Sequence, residues 1–177
     1  MSTIKSEMQP YKIIKAEKSF EIRHYPAANM AIITAKTQSY RDLGYTGFRT
    51  LANYIFGGNK DKKQIAMTSP VHMDIGDSVS TMAFVMPSDL QKENLPMPDN
   101  QDIIIRTTQP EYVAALSFGG FANTKAIQKY SQKLKTLLDE KGISYTGNVR
   151  FLGYNPPYQI FGRRNEVIVT LEPDDFL

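Results

Sequence analysis

The chain of 177 residues contains no cysteine. That excludes disulfides, thiolate catalysis and any thiolate ligand to zinc or to heme iron. Histidine is nearly as scarce. His24 and His72 are the only two, and without cysteine they form no recognisable metal-ligand spacing. Neither sits in a sequence-local Ser/His/Asp pattern or a nucleophile elbow. No G-x-x-x-x-G-K-[ST] or G-x-G-x-x-G run is present, so nucleotide binding by those loops has no support. Gly57-Gly58 and Gly119-Gly120 read as chain punctuation. No apolar stretch approaches the roughly 20 residues that span a bilayer. The polar start, residues 1–10, lacks the apolar core of a secretory signal, so a cytoplasmic protein is expected. Charge of one sign is not in excess: the net charge is +3 and the pI about 9.0. Lys and Arg cluster only at Lys60-Asp61-Lys62-Lys63 and Arg163-Arg164. Both are too short for a nucleic-acid footprint, and the lysine run reads as a solvated loop.

What is present is an ordinary globular composition, 41% apolar and 22% charged, in a chain long enough for one domain. Residues 20–25 alternate apolar and polar, as a half-buried strand does, and residues 30–36 are β-branched enough for a second strand. A helix is expected over 40–56, striped at Tyr40, Gly44, Phe48, Leu51 and Ile55, with Gly57-Gly58-Asn59 ending it. Strands follow over 64–73 and 80–86. The first contains Pro70, which a central strand does not tolerate, so an edge, bulged or bent strand is expected there, with Met67 and Met73 lining the lip of an apolar pocket. After a long loop over 87–100 the order recurs. Strands at 103–108 and 112–118 precede a helix at 124–141, striped at Ile127, Tyr130, Leu134, Leu137 and Leu138 and capped by Gly142. Strands at 149–154 and 166–171 close the chain.

Both halves therefore read strand, strand, helix, strand, strand, at a nearly constant offset. The expectation is an α+β fold of one domain over 1–177, built from two ββαββ units over roughly 11–90 and 101–172. Helices packed on a shared sheet leave a groove near the pseudo-two-fold axis. His24 is read as an exposed or rim position on the face opposite Ile22, with an axial heme ligand as the functional alternative. His72 is read as a rim or ordinary strand position.

Residues 48–71, FRTLANYIFGGNKDKKQIAMTSPV, resemble the signature of the SOUL/heme-binding protein family. Phe84-Val85-Met86-Pro87-Ser88 resembles the family's next strand and turn. Gly153-Tyr154-Asn155-Pro156-Pro157 and Arg163-Arg164-Asn165-Glu166-Val167 resemble its closing motifs, and FEIRHY over 20–25 its opening strand. The resemblance implies a distorted eight-stranded antiparallel β-barrel with two flanking helices, similar also to the effector-binding domains of bacterial multidrug-sensing regulators. It implies non-catalytic, reversible binding of heme or another tetrapyrrole in a shallow apolar groove. Carried over residue by residue, the groove takes Tyr45, Phe48, Arg49 and Ala52 from the first helix and Tyr158 and Phe161 from the loop opposite. Relatives place a basic residue near positions 45 and 159. This chain has Tyr45 and Gln159 there, with Arg49 or Arg163 as substitutes. The expected partner is a porphyrin or another apolar small molecule bound to a monomer. The alternative is a module that binds a different apolar molecule, or a protein, in the same groove.

Overall fold

The computed structural model describes residues 6–156 and 158–177. Pro157, at the end of one family motif, lies outside the described residues, as do the first five residues of the polar start. The strands are β1 (Glu7–Met8), β2 (Lys12–Ala16), β3 (Glu21–Tyr25), β4 (Asn29–Ala35), β5 (Thr68–Ser69), β6 (Val71–Ile75), β7 (Ser80–Val85), β8 (Ile104–Thr107), β9 (Glu111–Phe118), β10 (Tyr145–Gly153) and β11 (Asn165–Leu171). The helices are α1 (Tyr40–Ile55) and α2 (Thr124–Glu140). Neither is long and apolar enough to cross a membrane.

Nine strands form one antiparallel sheet in the order β2-β3-β9-β11-β10-β6-β7-β4-β8. Between β3 and β8, this order becomes its own reverse when β3, β4, β6 and β7 are exchanged for β8, β9, β10 and β11. The middle of that palindrome is the β6–β10 pair, where Met73 faces Phe151 and Val71 faces Gly153. The outer strands are traded: β3 pairs with β9 of the second half, and β8 with β4 of the first.

The sheet is open and curled and has nine strands, where a distorted eight-stranded barrel was expected. Closure would require β2 and β8 to pair. Instead both helices pack on one face of the sheet and contribute to a single core, and helices some 10 Å thick keep the edges apart. Alternation along each strand separates this core from the outer face. On β11, Val167, Val169 and Leu171 join the helix-side core, whereas Ile168 packs outward with Tyr25, Val113, Ala115 and Leu152.

Ser39 starts α1, its hydroxyl accepting from Asp42 N at 3.2 Å, and the Asn123 side chain does the same for α2 through Ala126 N at 2.8 Å. Gly142, at φ +68°, follows α2 in the left-handed conformation that a side chain disfavours. The buried face of α1 is Leu43, Gly47, Leu51, Tyr54 and Ile55; Leu51 and Ile55 belong to the stripe read in the sequence, while Tyr40, Gly44 and Phe48 lie one position round. Gly47 permits the closest approach, because a Cβ there would meet Met82 at 3.2–3.3 Å.

The strand expected over 64–73 is divided at Pro70. Thr68 and Ser69 pair in parallel with β1, the Ser69–Pro70 peptide is cis, and β6 begins immediately after. β6 is central, between β10 and β7, and not an edge. Pro70 precedes its ladder, so no donor is lost from it. Ile22 and His24, two residues apart, share a face, so the placement of His24 opposite Ile22 is corrected. Lys60 and Lys62 pair with Asp99 at 3.3 and 2.9 Å on the surface.

Candidate functional site

Two hollows flank the Met73–Phe151 pair at the centre of the sheet. One, of about 430 Å³, lies against α2, and its wall carries Gln38, Asp77, Gln128, Ser131 and Lys135. The other, of about 600 Å³, lies against α1 and is mostly apolar. An apolar cleft with a few polar groups suits a small organic ligand better than a solvated polar dish does, so the second is the candidate site.

Its helical wall is the stripe beside the buried face of α1: Tyr40, Gly44 and Phe48, flanked by Arg41, Tyr45 and Arg49. A Cβ placed on Gly44 would meet nothing within 4 Å, so the glycine leaves open space in the groove and is not demanded by packing. Its floor comes from Val71 and Met73 of β6, Met82 of β7, and Phe151 and Gly153 of β10. The ring of Tyr40 meets that of Phe151 edge-on at 5.6 Å, and Phe48 meets Phe84 in the same way at 5.3 Å. The far wall is Ala122, Asn123, Asn155, Pro156 and Arg163.

No carboxylate and no imidazole occurs among the described lining residues, while three guanidinium groups do. Arg49 donates to the Tyr45 hydroxyl one turn back, at 3.2 Å. Arg163 donates to the carbonyls of Pro156 and Gln159, each at 2.8 Å, and its guanidinium lies 4.6 Å from the Phe121 ring centre. Its Nε is buried without a partner among the described residues. Burial raises the Tyr40 hydroxyl above the usual phenol range, and the charge of Arg163 opposes that shift.

Of the residues expected from the sequence, Tyr45, Phe48 and Arg49 line the groove together. Ala52 is half-buried against the core and outside the lining. Tyr158 and Phe161 belong to the loop opposite, but they project into solvent at 83% and 85% exposure, and only the neck of that loop faces the groove. Gln159 donates to the carbonyl of Phe161 at 3.0 Å. His24 is elsewhere. It packs on Tyr112, ring centres 4.8 Å apart, and pairs with the opposite end of β9 from Phe118, the partner of the lining residue Asn165. Six residues of strand separate those ends, about 20 Å. The lining residues missed include Tyr40, Arg41, Gly44, Val71, Phe151 and Gly153. The alternation Val71, Met73 after Pro70 was the signal for one of them.

His72 points away from the groove, as its neighbours Val71 and Met73 require. On the outer face it is buried, its Nε2 2.7 Å from Gln9 Oε1. Burial first, and then the charge of Arg150, pushes its pKa down to about 3. Beside it lies a buried ionic cluster. Arg23 binds Glu166 through two hydrogen bonds of 2.9 and 2.6 Å, and Tyr154, Ser117 and Arg164 also donate to that carboxylate. Burial would raise Glu166, but Arg23 and its companions hold it down at about 2. Arg164 and Asn165 thus serve the frame: Asn165 donates to the carbonyls of Phe118 and Gly120 at 3.3 and 2.8 Å.

Comparison with known proteins agrees with this architecture. The solved C-terminal domain of EcmrR superposes with a TM-score of 0.67 at 9% identity, covering 92% of this chain and 98% of that one. A hydrolase from Listeria innocua does so at 0.62 and 9%, covering 90% and 94%. Such different proteins on one frame show a shared fold and nothing of function. Sequence carries further. Heme-binding protein 2 of Homo sapiens is 31% identical over 157 residues, 84% of this chain and 76% of its own. Heme-binding protein 1 of Xenopus laevis is 26% identical over 165 residues, 88% and 86%. The family model described as SOUL heme-binding protein matches residues 6–170, and with that span nearly the whole chain is accounted for: it belongs to the SOUL heme-binding protein family.

Proposed function

We propose that this protein binds heme or another tetrapyrrole reversibly and without catalysis, in the groove between α1 and the β6–β10 centre of the sheet, as a carrier or buffer. The observation that carries the reading is the pairing of an apolar floor with a cationic rim that has no carboxylate among its described lining residues. A porphyrin has the complementary form, a flat apolar ring with anionic propionates. The ring lies against Phe48, Met73, Met82 and Phe151, stabilised by removal of apolar surface from water and by polarisable thioether contact. Arg49 and Arg163 pair with propionates, taking the place of the basic residues that Tyr45 and Gln159 replace. Arg163 is the better placed, since its clasp on the loop neck fixes its orientation and little side-chain freedom is left to lose. The likeness to heme-binding proteins supports tetrapyrrole chemistry in general, while the groove assignment rests on its lining.

Iron ligation is not part of this binding mode, because the described lining contains no imidazole and His24 lies at the far end of β9. Burial of the ring therefore dominates. Titration with hemin and with iron-free protoporphyrin IX, followed by absorbance in the Soret region, gives affinities within about tenfold of each other, a difference of roughly 1.4 kcal/mol. His24→Ala leaves the hemin spectrum unchanged. Absence of binding by either porphyrin at micromolar concentration would remove the proposal, and a changed spectrum in His24→Ala would move the ligand to β3.

A second reading, a module for another apolar molecule or a protein partner, is favoured by one observation. Positions 45 and 159, where the family resemblance implies a basic residue, carry Tyr and Gln. A thermal-shift screen that finds a stronger stabiliser than hemin would select it.

A further inference from the structure

The groove opens onto a rim that is apolar well beyond what its lining needs. Tyr158, Ile160 and Phe161, on the loop opposite α1, are 83%, 64% and 85% exposed, and Tyr45 and Phe121 nearby are 67% and 55% exposed. Single exposed apolar side chains are ordinary on a protein surface, but five large ones around one opening are not. The loop that carries three of them is fastened at its neck and through Gln159, while the three apolar side chains themselves stay exposed. Arg163 donates to Pro156 and Gln159, Asn155 accepts from Arg164 N, and Asn155 also donates to Gln159 at 3.1 Å. The hydrogen bonds thus hold the loop up from its base while its apolar side chains meet water. Arg41, Arg49 and Arg163 stand at the same opening with no carboxylate in the described lining.

We infer that this rim docks on an anionic lipid surface, with Tyr158, Ile160 and Phe161 entering the headgroup–acyl boundary and the arginines facing lipid phosphates and carboxylates. Two features select a bilayer over another occupant. Aromatic side chains with a polar tip or flat ring favour the membrane interface. Basic residues beside an apolar insertion give the two-part signal by which peripheral proteins bind anionic membranes. Docked in this way, the groove mouth faces the phase in which an apolar ring partitions, and the ligand passes between bilayer and protein without crossing water.

The test uses the ligand-free full chain, so its failure is separate from failure of porphyrin binding. The protein has no tryptophan, which makes Ile160→Trp a single fluorescent reporter. With vesicles of phosphatidylcholine and phosphatidylserine, its emission moves to the blue and the protein co-floats. With phosphatidylcholine alone it does neither, and molar salt reverses the binding. Ile160→Ser lowers vesicle partitioning of the otherwise unaltered protein by about tenfold, the factor for one buried aliphatic side chain. Arg41→Ala lowers it about fivefold. Wild-type flotation keeps the inference falsifiable should a variant fold poorly. No flotation with either vesicle overturns it, and so does equal flotation with both. An Ile160-dependent dimer in sedimentation, with no lipid binding, assigns the rim to a second copy and likewise overturns it.

Discussion

At the scale of single residues, Gly44 separates the groove from the core. Glycine inside a helix costs about 0.5–1 kcal/mol relative to alanine, and no packing contact at this position offsets that cost. Gly44→Ala therefore raises stability by about that amount, read as a higher denaturant midpoint. Gly44→Leu keeps the fold but fills the groove, and hemin affinity falls by about tenfold or more, as a clash in a preformed pocket demands. Loss of folding in Gly44→Leu would show instead that the space is part of the core. His72 makes a second residue-scale prediction. Its folded pKa of about 3 lies below its ordinary 6.5, so as pH falls from 6.5 the unfolded chain takes up a proton that the folded chain refuses. Stability drops by about 1.4 kcal/mol for each pH unit between those limits. Glu166, held at about 2 against an ordinary 4.5, adds its own loss below pH 4.5. Urea midpoints of the wild type and His72→Gln between pH 7.5 and 5 check this, because only the wild type carries the slope above pH 5.

At the scale of elements, the outer-face ionic cluster ties strands that are not all neighbours. Arg23 lies on β3, Ser117 on β9 and Glu166 on β11, while Tyr11, from the segment between β1 and β2, stacks 4.1 Å from the Arg23 guanidinium and accepts from Arg164 at 3.0 Å. Arg23→Ala leaves the buried Glu166 carboxylate short of its strongest partner and lowers unfolding free energy by about 3–5 kcal/mol. An effect below about 1 kcal/mol would mean that Arg164 compensates. Nothing in the sequence announced this cluster, because bonded members lie up to 153 residues apart. The elements themselves were legible. Periodicity placed both helices to within a residue and most strands of the main sheet to within two, since each buries one face. β2 escaped because its face is largely exposed, which removes the apolar alternation. The helix stripe with Tyr40, Gly44 and Phe48 was real but was the groove wall, which shares its helical period with the core stripe one position round. Tyr158 and Phe161 stand on the loop opposite α1, yet their direction is set by the Arg163 clasp and by Gly162 at φ +64°. Neither of these is a local sequence pattern.

At the scale of the molecule, the exchange of outer strands decides how the chain can fold. Each ββαββ half lends its first strand to the other. β3 hydrogen-bonds along Glu21–Tyr25 with β9, and β8 along Ile104–Thr107 with β4, while the β6–β10 pair joins the halves at the centre. A half alone would leave several strand edges open and would lose the other half's share of the single core, although each helix packs mainly on strands of its own half. Open apolar edges favour aggregation over a native fold. The pairings also join residues far apart in sequence, so loop closure is costly before the contacts that reward it form. We therefore expect residues 1–95 and 96–177, expressed separately, to show no cooperative unfolding transition by circular dichroism. Mixed from denaturant, they regain the far-ultraviolet spectrum of the intact chain and a single transition. The cut falls in the loop over 87–100, outside every strand and both long helices, and the bonds of Lys60 N to the Met97 carbonyl at 2.9 Å and of Asp99 N to the Gly58 carbonyl at 3.1 Å re-form when the halves are mixed. A cooperative transition in either isolated half would show that its edge strand is dispensable, and that the groove at the β6–β10 seam is an interface between two independent folding units.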